Sequence, residues 1–282
     1  MNQKISVVIP TLGGLNLKRT IQKLNEGVIS PDEIILSIPK NINVDTKISK
    51  IKKVKIIRTS KLGQVRQRIE GFKIAKHSYV LQLDDDILLN KFCLKNLLNF
   101  LKFKKKASVS PLLVTKRKGS NFDKYPKNFL YKIYHYLLNG DENFVYGKIS
   151  KSGVPYNFSK QKKTKIFETE WLPGGCILHK KENLILKNYF PIKSQKAFCE
   201  DLIHSHKLKK NKIKLYLNLI AKAEYDDFEG FKSFKIANFF ENLKNDYICR
   251  FYFIQLSKKS LIRMHVYYLF LIFRYFFIRI KG

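Results

Sequence analysis

The triplet Asp84-Asp85-Asp86 is where the sequence first points to chemistry. Consecutive carboxylates repel one another unless a cation or hydrogen bonds offset their charge. These three follow the apolar run Tyr79 to Leu83, which reads as a strand. If the pleat continues through the triplet, Asp84 and Asp86 project to one side and Asp85 to the other. Two carboxylates on one side make a hard-oxygen site of the kind Mg2+ or Mn2+ uses, with water and substrate phosphates in the remaining positions. In open α/β sheets the ligand crevice also lies beyond the carboxyl ends of the strands. The competing reading is a solvated acidic turn that caps a helix starting near Asn90.

A second acidic pair, Glu200-Asp201, opens a segment whose Leu202, Ile203 and Leu208 can face a core. The helix dipole favours carboxylates in a first turn, so capping alone is the plain alternative. At an ordinary pKa near ~4, Asp201 is ionised at neutral pH and able to take a proton from a hydroxyl. His204 and His206 lie two apart and point about 200° from each other on a helix, so they read as surface or packing residues and not as joint metal ligands. Gly13-Gly14, followed by Lys18-Arg19, lacks the further glycine that a phosphate-cradling loop needs and reads as a turn. The lysines from 102 to 106 and from 160 to 165 read as solvated faces.

Positioning these groups requires a scaffold. Ile5 to Ile9 is a short β-branched run closed by Pro10, and Asn16 can cap a helix through Leu17, Ile21 and Leu24. Glu33 to Leu36 and Lys55 to Ile57 read as further strands, and Gln64 to Ala75 as a helix. After the triplet, helical spacing resumes from Asn90 to Phe103. This alternation predicts a doubly wound, mostly parallel α/β sheet over the first ~110 residues. Residues 111–170, with Phe122, Tyr125, Phe129, Tyr131, Tyr134 and Tyr136, read as a loop-rich insertion. Order returns with a strand from Cys176 to Leu178, a helix near Lys181 to Leu186 and a helix at Glu200.

Composition bounds the remainder. At 282 residues with 45% hydrophobic side chains, a disordered chain is excluded. Cys93, Cys176, Cys199 and Cys249 are far apart with no CxxC pair and are expected to be reduced and buried. The N-terminus reads as a first strand and not as a signal peptide, which suggests a cytoplasmic chain. A net charge of +33 draws the protein to polyanions. No zinc, basic-zipper or RNA-stacking motif accompanies that charge, so nucleic acid is not the expected partner.

Four blocks, ISVVIPT, RQRIEGFKIAKHSYVLQLDDD, WLPGGCILHKKENL and FCEDLIHSHKL, resemble the successive signatures of the family 2 glycosyltransferases, over about residues 4 to 225. The resemblance implies the GT-A fold and inverting transfer of a sugar from a nucleoside-diphosphate donor to a hydroxyl acceptor such as a glycan or glycolipid. It implies that Asp84 and Asp86 hold a divalent metal, Mn2+ or Mg2+, and that Thr11, Arg68, Asp84, Asp85 and Asp86 bind the donor. Trp171, Gly174 and Gly175 would form the loop near sugar and acceptor. Asp201 would be the catalytic base, with Glu200 beside it. The family's acidic pair after the second strand is missing, since EIIL runs into Ser37-Ile38-Pro39-Lys40, and Ser37 is a weak substitute for reading the nucleobase. The alternative enzyme, a sugar nucleotidyltransferase, leaves Glu200-Asp201 without a task.

The expected organisation is a glycosyltransferase domain over 1–245, with a nucleotide-binding half at 1–110 and an acceptor-side half at 111–245, followed by a basic-aromatic tail over 246–282. From Tyr247 to Gly282 no acidic residue occurs. As a helix the tail would put Lys259, Arg263 and Arg274 within a stripe of about 60°. It is expected to lie on the anionic, cytoplasmic face of a membrane, against alternatives of packing on the core or on a second copy, or of spanning the membrane, which Arg263 and Arg274 interrupt.

Overall fold

The computed structural model describes residues 3–60, 62–115, 129–141, 145–156, 164–192, 197–225 and 236–281. Phe122, Tyr125 and the lysines at 160, 162 and 163 lie outside the described residues, as do the side chains of Arg279 and Lys281. In chain order the elements begin with β1 (Ile5–Pro10), α1 (Leu17–Asn25), β2 (Glu33–Pro39), α2 (Thr46–Ser49), β3 (Val54–Thr59), α3 (Gln64–Ile74) and β4 (Tyr79–Leu83). They continue with β5 (Ile87–Leu89), α4 (Cys93–Leu101), β6 (Ala107–Thr115), α5 (Phe129–Asn139), β7 (Ile166–Thr169) and β8 (Cys176–Lys180). The last are α6 (Glu200–Lys210), β9 (Lys214–Tyr225), α7 (Ile236–Ser257) and α8 (Leu261–Lys281). The chain forms two compact units, Met1–Ser120 with Lys163–Lys232, and Asn121–Lys162 with Ser233–Gly282.

The first unit carries one mixed sheet in the order β3-β2-β1-β4-β8-β6-β9-β5, with β7 paired to β9. Strands β3, β2, β1 and β4 run parallel, as do β6 and β9. Their near-continuous apolar sequences suit strands covered on both faces. Ile5, Val7 and Ile9 of β1, with Leu36 of β2 and Leu81 of β4, pack with Leu17 and Ile21 of α1 and with Leu97 and Leu101 of α4. The intervening Val8, Ile35 and Val80 face Phe72 of α3 on the other side. The chain runs outward from β1 to β2 and β3, and α3 returns it to β4 on the opposite flank of β1. The carboxyl ends of β1 and β4 therefore lie side by side at a topological switch point, where doubly wound sheets form a crevice.

Several local expectations change. Asn16 makes no side-chain cap bond, because its backbone is already helical (φ −80°) and a capping residue needs an extended one. The helix expected near Lys181 to Leu186 is a single 3-10 turn over Lys181–Asn183. Strand β6 runs on to Thr115 beside β9, and β5 and β7 are additional short strands. The segment read as a loop-rich insertion contains α5. Its solvent face carries Phe129, Ile133 and Tyr136, so the apolar-polar alternation that signals a helix is absent from its sequence.

In the second unit α8 packs on both α5 and α7. Arg250 of α7, within the basic-aromatic segment, is buried. It donates to Asp246 at 2.9 Å, to the Tyr268 hydroxyl at 3.2 Å and to the carbonyl of Gly153 at 2.6 Å, joining both long helices to the 150–156 segment. Gly153 lies at φ +78°, and a Cβ there would sit 2.8 Å from Ile254, so the loop can approach α7 only with glycine at this position. None of the described helices is long and apolar enough to cross a membrane.

Candidate active site

Strand β4 ends at Leu83, and the aspartate triplet occupies a turn into β5, where the Ile87 N–H reaches the Asp84 carbonyl at 3.4 Å. The pleat therefore stops short of the triplet, and turn geometry aims its side chains. Asp85 points to β1, where its carboxylate accepts from the Thr11 hydroxyl. That hydroxyl also accepts from Gly13 N–H at 2.9 Å, and Thr20 of α1 donates to the Asp85 carbonyl at 2.8 Å. Asp84 points the other way, toward α3, and its N–H donates to the Gly175 carbonyl at 2.8 Å. Asp86 is half-buried and close enough to raise the pKa of Asp84 by its charge.

Arg68 links this turn to α6. Its guanidinium is fully buried and donates to Glu200 at 2.6 Å, Asp84 at 3.1 Å and the Tyr189 hydroxyl at 3.3 Å. Burial disfavours the Arg68 charge, but Glu200, Tyr189 and Asp84 outweigh it and hold the pKa above its ordinary value. Gln64, one helical turn before Arg68, donates to the same Asp84 oxygen at 3.0 Å. Burial raises the Asp84 carboxyl, Arg68 pulls it down, and Glu200 and Asp86 push it up, leaving it at about 6. Tyr189 also donates to the Glu200 oxygen that Arg68 holds. Behind it, His204 stacks on the Tyr189 ring at 4.8 Å. Burial and Arg68 lower its pKa to about 3, so His204 is a neutral packing residue, as its spacing from His206 suggests.

The loop before β8 closes over these carboxylates. Trp171 is buried, the Leu172 N–H donates to Ser205 of α6 at 3.0 Å, and the Gly174 carbonyl accepts from Gln82 of β4. A Cβ on Gly174 would sit 2.7 Å from the second carboxylate oxygen of Glu200, and one on Gly175 would sit 2.4 Å from Ile87 and 3.3 Å from Asp84. At both positions an added Cβ would have to displace the neighbouring side chain. Cys199, just before α6, has φ +54°, a conformation that a non-glycine residue adopts at a cost, and it swings Glu200 inward. Cys199 is only half-buried, unlike the other three cysteines, because this turn lifts it from the core. Asp201 is half-buried on the first turn of α6, and its side chain accepts from the Leu202 N–H at 2.9 Å.

The sequence therefore singles out residues that the fold brings together. Thr11 and Asp85, and Arg68 and Asp84, are joined by hydrogen bonds at the switch point, and Gly174, Gly175, Glu200 and Asp201 stand against them. Ser37 is a correction: it is fully buried with its hydroxyl against Gly71, so its side chain does not face a nucleobase. Gln67 instead ties the ends of β1 and β2, donating to the carbonyls of Thr11 at 3.1 Å and Ser37 at 2.8 Å. Gln64, Gln67, Gln82, Tyr189 and Ser205 escaped the sequence reading. Only Gln64 carried a signal, its spacing of four residues from Arg68.

These donors suit a hard divalent cation. Burial pushes the Cys93 thiol up to about 12 and holds Cys176 well above its ordinary value, so both are neutral thiols, and the ionisable oxygens at the switch point are those of the aspartates. No group of three or more His, Cys, Asp or Glu able to hold an ion forms among the described residues. One or two carboxylates completed by substrate phosphates and water is how Mg2+-type ions are commonly held.

A sequence profile described as glycosyl transferase family 2 matches residues 6–170. No curated protein matches the chain in sequence. Among solved structures, the chain resembles GalNAc-T7 crystallised with UDP, GalNAc and Mn2+, at a TM-score of 0.58 and 17% identity. The similarity covers 82% of this chain but 45% of that one, so the chain spans less than half the length of this structural relative. At that identity the likeness speaks for the GT-A fold, and the profile, which takes in more than half of the sequence from β1 to the loop before β8, speaks for descent: the chain belongs to glycosyl transferase family 2.

Proposed function

We propose that the chain transfers a sugar from a nucleoside-diphosphate donor to a hydroxyl of a glycan or glycolipid acceptor, with inversion at the anomeric carbon. The observation that carries this reading is the unequal setting of Glu200 and Asp201. Glu200 is 5% exposed and held by Arg68 and Tyr189, whereas its neighbour Asp201 is half-buried beside the Gly174 loop. Glu200 is a positioning residue that fixes the entrance of α6, and Asp201 is the general base. Asp201 takes the acceptor hydroxyl proton as the oxygen bonds to the anomeric carbon, and the bond from that carbon to the diphosphate breaks with its electron pair leaving on the diphosphate. Asp85 and Thr11 orient the nucleoside side of the donor, and Asp84 and Asp86 face its diphosphate. Those two carboxylates would hold a divalent cation, which would supply charge neutralisation for the departing group. The UDP and Mn2+ of the GalNAc-T7 crystal support a nucleoside diphosphate and such a cation as the donor pair.

The test separates binding from chemistry. Donors are first screened by calorimetry in Mn2+, and transfer is then followed by mass analysis of acceptors. Asp201→Asn keeps the side-chain shape and is expected to bind donor within a few-fold of wild type while turnover falls about 10²–10⁴-fold. Asp86→Ala is expected to weaken donor binding in Mn2+ but not in EDTA. Turnover within a few-fold of wild type for a folded Asp201→Asn protein would remove Asp201 from the mechanism.

A further inference from the structure

We propose that the helical unit docks on an anionic lipid bilayer through exposed apolar faces of α5 and α8. Helix α8 buries Met264 and Tyr268 in its own unit. Its other side is uncovered: Ile262, Leu269 and Phe273 are 78%, 67% and 67% exposed, and Phe276 and Phe277 are exposed beside them. At ~100° per residue these five side chains fall within about 100° of the circumference. Helix α5, which packs on α8, repeats the arrangement: Phe129 is 73% exposed, and Ile133, Tyr136 and Leu137 share its face over a similar arc. Single exposed apolar residues are ordinary, but a face of them on each of two packed helices marks an interaction surface.

Charge selects the occupant. From Tyr247 to Gly282 there is no acidic residue, and the chain carries +33, so a second copy on this face would meet like charge. Anionic headgroups meet opposite charge, and the exposed Lys132 and Arg274 flank the two apolar faces. The structure also changes which residues would make the contact. Lys259 donates to the Ile149 carbonyl at 3.0 Å, and Arg263 donates to the carbonyls of Tyr136 and Leu137 at 2.8 and 2.9 Å, ending α5. These two cations of the expected basic stripe are engaged within the protein. Insertion of the Ile, Leu and Phe side chains to the acyl boundary carries the binding, with Lys132 and Arg274 at headgroup level.

The experiment uses the full chain and vesicles of phosphatidylcholine with or without phosphatidylglycerol. Wild type is expected to sediment with the anionic vesicles and far less with the neutral ones. Leu269→Ser with Phe273→Ser is expected to lower partitioning by at least about tenfold, because each side chain loses its transfer into the bilayer. Phe273→Trp is expected to shift its emission to the blue when anionic vesicles are added, and it decides the matter alone if the double variant does not fold. Wild type that stays in solution, a double variant that partitions equally, or an unshifted Trp emission would each overturn the proposal. So would light scattering that finds a dimer which the double variant splits, since the face would then belong to a second copy.

Discussion

At the residue scale the decisive side chain is Arg68, a single buried cation between carboxylates from two parts of the sequence. A buried charge is tolerated only when paired, and removing one partner leaves the others uncompensated. Arg68→Met is therefore expected to cost about 3–5 kcal/mol in urea-induced unfolding, far more than removal of an exposed cation such as Arg274. A loss under about 1 kcal/mol would contradict the bridging role. Asp84 adds a pH signature. Its folded-state pKa of about 6 exceeds the ordinary 3.8, so between those values the folded protein binds a proton that the unfolded chain releases. By linkage, this contribution to stability is present below the ordinary value and is lost as pH rises through about 6. In the proposed mechanism donor binding in Mn2+ would need the ionised carboxylate and would run the opposite way. It is expected to weaken as pH falls below about 6 and to release a proton near that pH. Calorimetry in buffers of differing ionisation enthalpy measures that release, which Asp84→Asn should abolish.

At the scale of elements, α3 carries the site because it can lie close to the sheet. A Cβ on Gly71 would stand 2.4 Å from Val8 of β1 and 2.6 Å from the Ser37 hydroxyl of β2. Only glycine allows this approach, and Gln64, Gln67 and Arg68 reach the switch point because the helix sits there. Gly71→Ala would raise helix propensity by roughly 1 kcal/mol in an open setting. Here it is expected to destabilise by about 1–3 kcal/mol, since overpacking forces the helix or Val8 to shift, and to weaken donor binding as well. A thermal melt shows the first effect and calorimetry the second. A more stable variant with unchanged donor affinity would disprove the close-approach argument.

At the scale of the whole molecule, each unit has its own polar centre. In the second unit this is Arg250, which holds α7, α8 and the 150–156 segment through Asp246, Tyr268 and Gly153. Burial first, then Asp246, raises the Tyr268 hydroxyl well above its ordinary pKa despite Arg250, so Tyr268 stays neutral and serves as a hydrogen-bond donor to Asp246. Arg250→Leu would remove the bidentate cation from Asp246 and a hydrogen-bond donor from the Gly153 carbonyl. The expected cost is about 2–5 kcal/mol. Hydrogen exchange should show faster amide exchange in α7 and α8, and unchanged exchange there would remove Arg250 from this role.

Local pattern and charge are legible in the linear chain. Short β-branched or apolar runs such as Ile5 to Ile9 and Tyr79 to Leu83, bounded by turn signals, read as covered strands, and the like charges of Asp84, Asp85 and Asp86 require compensation wherever the chain places them. The order of its four signature blocks was enough to identify the family. Tertiary structure decided what depends on residues far apart in the chain. Arg68 meets Glu200 across 132 positions, and Tyr189, with no local signal, completes that pair. Ser37, well placed in the linear sequence, is turned against Gly71, because side chains alternate along β2 and Ser37 shares with Ile35 the face that α3 covers. Helix α5 was hidden by its apolar outer face, and Lys259 and Arg263 looked free until neighbouring carbonyls claimed them. Periodicity reports the environment a side chain prefers, while its partners are set by how the elements cross, which no stretch of sequence contains.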